Sequence, residues 1–211
     1  MSGDVKRPYR SVVREHQAAR TRAAVIDAAG AEFVARGYAA TSIDDIAAAA
    51  QVARRTIYAI GGKPELLKLA YETALAGDHE QVPVADRPAV ARIVAEPDPV
   101  AALHLYVDMC LGIGARVGPI HAALRAASGD DRVRALYGHF QERRAEATRR
   151  VVGFLVERGA PIGRPDTAAD LLWLLVDPGT HHALVHERGW TEQQMADWLH
   201  ATVAQQILSA G

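Results

Sequence analysis

The chain has 211 residues, a formal net charge of −1 and one cysteine. That length allows one sizeable core, or a small domain beside a larger one. The lone Cys110 excludes an internal disulfide and fits a reducing, cytoplasmic setting. The basic N-terminus lacks the apolar stretch of a signal peptide, and no run approaches the roughly 18 uninterrupted apolar residues of a membrane span.

Residues 1–16 read as a basic arm carrying Lys6, Arg7, Arg10 and Arg14, with Gly3 and Pro8 opposing regular structure at its start. It suits equally a strand of chain that follows a DNA backbone and a leader with no role. Residues 17–36 predict a helix, because Ile26, Ala29 and Phe33 share a face with Ala23 and Val25 beside it. Gly37 follows as its C′ residue. Phe33 is expected to pack beneath the next two helices, and Tyr38 to fill a corner. Arg20 or Arg22 stands near the helix start, where it can reach phosphate.

Residues 41–63, TSIDDIAAAAQVARRTIYAIGGK, predict two short helices joined by a tight turn. The first, 42–49, has Ile43, Ile46 and Ala47 on one face. Thr41 or Ser42 can cap it, and Asp44 and Asp45 suit its first turn. The chain turns at Ala50 and Gln51, with Val52 as a plug. The second, 53–59, points Ile57 inward and leaves Arg54, Arg55, Thr56 and Tyr58 outward. A short helix bearing cations, donors and an aromatic ring, set against a first short helix, is what a helix-turn-helix needs to enter a major groove. The bland alternative is a helical hairpin with solvated arginines.

A helix over 64–75 follows, with Pro64 and Glu65 suited to its first turn. It would link a DNA-binding part to the remainder, so that a shift at its far end tilts the recognition helix. Residues 77–99 hold Pro83, Pro88, Pro97 and Pro99 and form the expected boundary, with a possible short helix at 87–94. Beyond it only helices are expected: 99–116, 119–127, a long amphipathic one at 130–158, one at 166–176 that is apolar nearly all round, and 191–209. The triplet Asp177-Pro178-Gly179 kinks or ends the 166–176 helix. The fold class is all-α: an arm at 1–16, a helix-turn-helix domain at 17–76, and a helical ligand-binding and dimerisation domain at 77–211.

Charge divides along the chain in the same way. Residues 1–63 hold ten Lys/Arg against six acids, a net of +4, which leaves −5 on the rest. One polyanion-facing end on an acidic body is the pattern of a DNA binder.

The succession of an amphipathic helix, T-S-I-D-D-I-A, R-R-T-I-Y and G-G-K-P-E-L-L resembles the DNA-binding domain of the TetR family of bacterial repressors. The resemblance is specific over residues 20–75. Beyond them it rests on helix lengths, D-L-L-W-L-L and G-W-T. Three departures stand out. Ala53 occupies the place of a frequent capping serine, Gln51 that of a turn glycine, and residues 58–63 are one shorter than usual. The resemblance implies a homodimer on a palindromic double-stranded DNA operator, repression, and release by a small-molecule effector. It also implies that the last two helices pair with their counterparts in a second subunit, through Leu172, Trp173, Trp198, Leu199 and Val203.

For DNA, arginine can grip guanine bidentately and the threonine methyl suits thymine, so Arg54, Arg55 and Thr56 are the expected base readers. Tyr58, Lys63, Thr41 and Arg22 suit phosphates, which position without specifying. For the effector, His104, Met109, Cys110, Phe140 and Trp173 are expected near the interior of the body. There they can line an elongated, mostly apolar cavity for a hydrophobic or amphipathic ligand, though such residues are commonly plain core. His181, His182 and His186 raise a metal reading, but two helical ligands with no nearby cysteine are weak support, and no metal or cofactor is expected. No nucleophile is assembled with a base, and no phosphate loop or dinucleotide glycine pattern is present, so an enzyme is not expected. Two rivals remain open: a helical small-molecule carrier with a degenerate DNA end, and a metal- or thiol-sensing regulator.

Overall fold

A computed structural model of the chain describes residues 7–80 and 82–208, and every regular element among them is helical. The backbone divides into two compact units, residues 1–73 and 74–211.

In the first unit, α1 spans Arg7–Arg36. It begins ten residues earlier than the sequence suggests. Pro8 does not oppose this, because it falls in the first helical turn, where a missing N–H leaves no bond unmade. Much of the expected irregular arm is therefore helical, and Lys6 lies outside the described residues. Gly37, at φ +79°, ends α1 in the left-handed conformation that favours glycine. The rings of Phe33 and Tyr38 then meet with centroids 5.5 Å apart, and both residues are buried.

The two short helices are α2, Ile43–Ala49, and α3, Arg54–Ile60. A capping box fixes the start of α2. The Ser42 hydroxyl accepts from the Asp45 N–H at 3.1 Å, and the Asp45 carboxylate accepts from the Ser42 N–H at 2.8 Å. These bonds from Ser42, reinforced by Arg36, hold the Asp45 carboxyl below its usual range. Most of helix α4, Lys63–Ala76, belongs to the same unit. Its Leu66, Leu67 and Tyr71 share one core with Val25, Ala29, Phe33, Ile46 and Ile57.

The second unit holds α5 (Pro88–Ala95), α6 (Pro99–Ala126), α7 (Asp131–Glu157), α8 (Pro165–Leu175), α9 (Pro178–His182) and α10 (Glu192–Ile207). Two helices expected at 99–116 and 119–127 are one, with Pro119 inside α6. Ala115, whose carbonyl loses its partner to the proline, is on the exposed side, where water can satisfy it. Asp130 caps α7 by accepting from the Arg132 and Val133 N–H groups. Asp177 ends the run of α8 and caps α9, and a π-helical turn, Ala183–Glu187, leads on to α10.

The core of this unit joins α6, α7, α8 and α10 through Leu103, Val107, Val152, Leu155, Leu172, Met195, Leu199 and Val203. By length and composition α6 alone among the described helices could cross a membrane. Here its Leu103, Val107, Val117 and Leu124 are buried among neighbouring residues. Glycines let α9 settle on it. A Cβ at Gly114 would stand 3.0 Å from the His181 ring, and one at Gly118 would stand 3.2 Å from His182 Cβ.

Candidate nucleic-acid interface

Helix α3 buries one side chain, Ile57. The other residues of its two turns face out or sit at the margin: Arg54 and Arg55 are exposed, Thr56 is half-buried, and Tyr58 is 58% exposed. A large aromatic ring left in water on a seven-residue helix adds nothing to the core.

The turn that presents α3 is built without the usual residues. Gln51 sits at φ +55°, the sole described non-glycine residue in that region. Ala53 takes the N-cap position in extended conformation and offers no side-chain oxygen. At the other end, Gly61 permits the short connection to α4. A Cβ there would lie 2.7 Å from Glu65 Cβ.

The acids of α2 point two ways. Asp45 pairs with Arg36 of α1 at 3.0 Å, and Asp44 pairs with Nε of Arg54 at 3.0 Å. A hydrogen bond with Tyr58 and the charge of Asp44 together favour the charged Arg54 guanidinium. Arg55 makes no ion pair among the described residues. The Arg54 pair was not expected from the sequence. The signal was present in the acid-rich first turn of α2, but it reads equally well as a dipole effect.

Thr41 is placed differently from expectation. It is 1% exposed, and its hydroxyl donates to the carbonyls of Glu32 at 3.1 Å and Gly37 at 2.9 Å. It ties the end of α1 to the start of α2 and presents no group to a phosphate. Lys63 lies 4.3 Å over the Tyr38 ring, which fixes the ammonium beside the corner that Tyr38 fills. Arg22 is half-buried on α1.

The residues expected around an effector do not share one set of partners. His104 Nδ1 is 2.7 Å from His200 Nδ1, and His200 Nε2 is 2.8 Å from Asp108. Met109 and Cys110 pack partly buried against the core. Burial pushes the Cys110 thiol up to about 12, so it holds little thiolate near neutral pH, contrary to what a thiol sensor needs. Phe140 is buried on α7. Trp173 lies under Arg144, whose guanidinium carbon is 5.1 Å from the ring. That arginine also donates to the Trp173 carbonyl at 2.6 Å, to Asp177 and to Gln141.

Arg144 was missed in the sequence. It lies on the α7 stripe that runs through Phe140, Thr148 and Val152, where an apolar residue belongs, and that interruption was the available signal. His181 is buried and its Nε2 lies 2.9 Å from Glu192; the rings of His182 and His186 lie 4.9 Å apart. Among the described residues no three His, Cys, Asp or Glu side chains converge as metal ligands.

The subunit-contact residues need correction. Leu172, Leu199 and Val203 are at most 1% exposed within the single chain, so they are core and have no surface to offer. Trp173 and Trp198 are half-buried. The exposed apolar residue of α8 is Leu174, 55% exposed.

Residues 25–60 match the family described as bacterial regulatory proteins, tetR family. No curated protein sequence matches the chain significantly. Solved structures share the fold. One is from Syntrophomonas wolfei and is described as a TetR-family transcriptional regulator; it has 18% identity and a TM-score of 0.70, covering 91% of this chain and 98% of that one. A transcriptional regulator from Saccharomonospora viridis, in complex with choline, has 21% identity and a TM-score of 0.67, with 90% and 98% covered. NalD, the secondary repressor of the MexAB-OprM multidrug efflux pump in Pseudomonas aeruginosa, has 18% identity and a TM-score of 0.65, with 91% and 98% covered. The matched segment ends on the exposed α3, so residues 25–60 resemble the tetR family of bacterial regulatory proteins, and the chain as a whole shares the all-helical fold of these solved regulators.

Proposed function

We propose that the chain is a ligand-responsive repressor that binds a palindromic operator as a homodimer. Arg54, Arg55 and Thr56 contact bases, while Tyr58, Lys63 and Arg22 contact phosphates. The observation that carries this is α3 itself, which spends one side chain on the core and leaves two arginines and a tyrosine outward. Seven residues read too few base pairs for useful specificity, so two-fold duplication on half-sites roughly 34 Å apart is the economical arrangement.

Repression is supported by the shared fold of NalD, which is itself a repressor. A small-molecule effector is supported by the choline complex of the Saccharomonospora viridis regulator. The effector is a small hydrophobic or amphipathic molecule bound in the C-terminal unit, and it lowers operator affinity by a coupling of about 1–3 kcal/mol.

Selection of bound sequences from random duplex DNA tests the reading. A recovered palindrome supports a dimeric DNA reader. Absence of any enriched sequence, with a flat dependence of bulk-DNA binding on salt, contradicts it.

A further inference from the structure

Helix α2 carries two adjacent acids, and each holds an arginine on a flanking helix. Asp45 is occupied by Ser42 and Arg36. Asp44 is thereby the acid left for α3, and it takes Nε of Arg54 at 3.0 Å. The pair is exposed on both sides, with side chains 59% and 63% accessible, so it adds little to stability. A carboxylate beside a DNA-facing helix also repels phosphate, which lowers affinity for any duplex. A group that adds little stability and opposes general affinity is explained if it improves discrimination.

The donor count shows how. A guanidinium has five N–H groups. Asp44 engages the one on Nε. The other four sit on the two terminal nitrogens. Those two nitrogens are the pair that grips O6 and N7 of guanine. With Nε anchored, the guanidinium plane is fixed before DNA arrives, and less rotamer freedom is lost on binding. Arg55, one residue along, has no such acid among the described residues.

We infer that Asp44 is a positioning residue that sets Arg54 to read a guanine, and so determines specificity at one base pair of each half-site. The inference rests on the DNA-binding role proposed above. Asp44 itself touches no base. Arg55 contributes independently of it.

The test measures base preference at every half-site position for the full-length protein and for D44N, R54A, R54K and R55A. Circular dichroism melts confirm that each variant folds. The wild type is expected to prefer guanine at the position that Arg54 reads in each half-site. R54A should erase that preference, a loss of about 5- to 150-fold in discrimination. D44N should weaken it about tenfold at the same position alone, without reducing affinity for non-operator DNA. R54K, which keeps the charge but lacks the Nε–H that Asp44 anchors, should weaken the guanine preference as D44N does. R55A should leave the preference at the Arg54 position intact and change selection at the position Arg55 reads.

A D44N protein with the wild-type guanine preference overturns the inference while leaving the DNA-binding reading in place. Equal loss at all positions also overturns it, because that is the signature of a structural role. A wild-type protein that selects no sequence overturns both.

Discussion

Arg144 of α7 reaches the carboxylate of Asp177, the residue that caps α9, so one ion pair joins the two helices. The other Asp177 oxygen accepts from the Gly179 N–H at 2.7 Å, and His121 Nε2 of α6 stands 3.8 Å from it. The Arg144 and Asp177 side chains are each 18% exposed. Removing one partner strands the other in a poorly solvated place. R144M or D177N should destabilise the second unit by on the order of 3 kcal/mol, with the double variant R144M/D177N less damaged than the sum of the two. Chemical denaturation of the three variants measures this. Additive losses would show that the two groups act separately.

The same neighbourhood makes stability depend on pH. Burial lowers the His121 pKa below 6.5, opposed by Asp177 and reinforced by Arg144, Arg125 and His182. Burial, then His186, lowers that of His182. A histidine with a depressed folded pKa is neutral in the fold while the unfolded chain still takes up protons. Its contribution is therefore complete above 6.5, falls as pH drops through that value, and levels off below the folded pKa. The melting temperature should decline between about pH 7.5 and about pH 5.5. H121N should flatten the decline. An H121N protein with the full wild-type slope would assign the effect elsewhere.

The turn before α3 is stabilised by neither of its key residues. Gln51 occupies a left-handed conformation at φ +55°, which glycine adopts without the Cβ penalty. Ala53 caps α3 with no acceptor. Q51G and A53S should each raise stability by about 1 kcal/mol, and their effects should be close to additive because they act on different terms. Thermal melts of the isolated changes and the pair check this. A Q51G protein that melts lower than the wild type would mean that the Gln51 side chain makes a contribution larger than the strain.

These two positions show what could be read from residues alone. The helix-turn-helix was legible because it rests on local signals: the Ile43/Ile46/Ala47 face, the acids of a first turn, and the single inward Ile57. Gln51 could be placed in a turn but its dihedral could not, since sequence does not state which departures a fold tolerates. Thr41 was misread for a related reason. A threonine before a helix looks like a cap or a surface donor, and only the packed structure shows its hydroxyl between the carbonyls of Glu32 and Gly37. In the second unit, periodicity found the helices but not which apolar face meets which neighbour. Pro119 was taken as a break because the sequence does not show that the freed carbonyl is on the wet side. The Arg144–Asp177 pair spans 33 residues, beyond any spacing rule.

The corrected subunit surface gives the last prediction. Burial of Leu172, Leu199 and Val203 within one chain removes them from any contact between copies. What α8 still offers is the stripe opposite Leu172, where Leu174 is exposed and Leu171 is half-buried. An exposed leucine at the centre of a contact is worth roughly 2–3 kcal/mol by burial, and a charge in its place adds a desolvation penalty. On the proposed dimer, L174R should therefore shift the assembly to monomers at micromolar concentration, leave helicity unchanged and abolish operator binding, since one half-site alone is held weakly. Light scattering on wild type and variant decides it. A dimeric L174R protein would move the interface away from α8, and a monomeric wild type would remove the two-fold reader altogether.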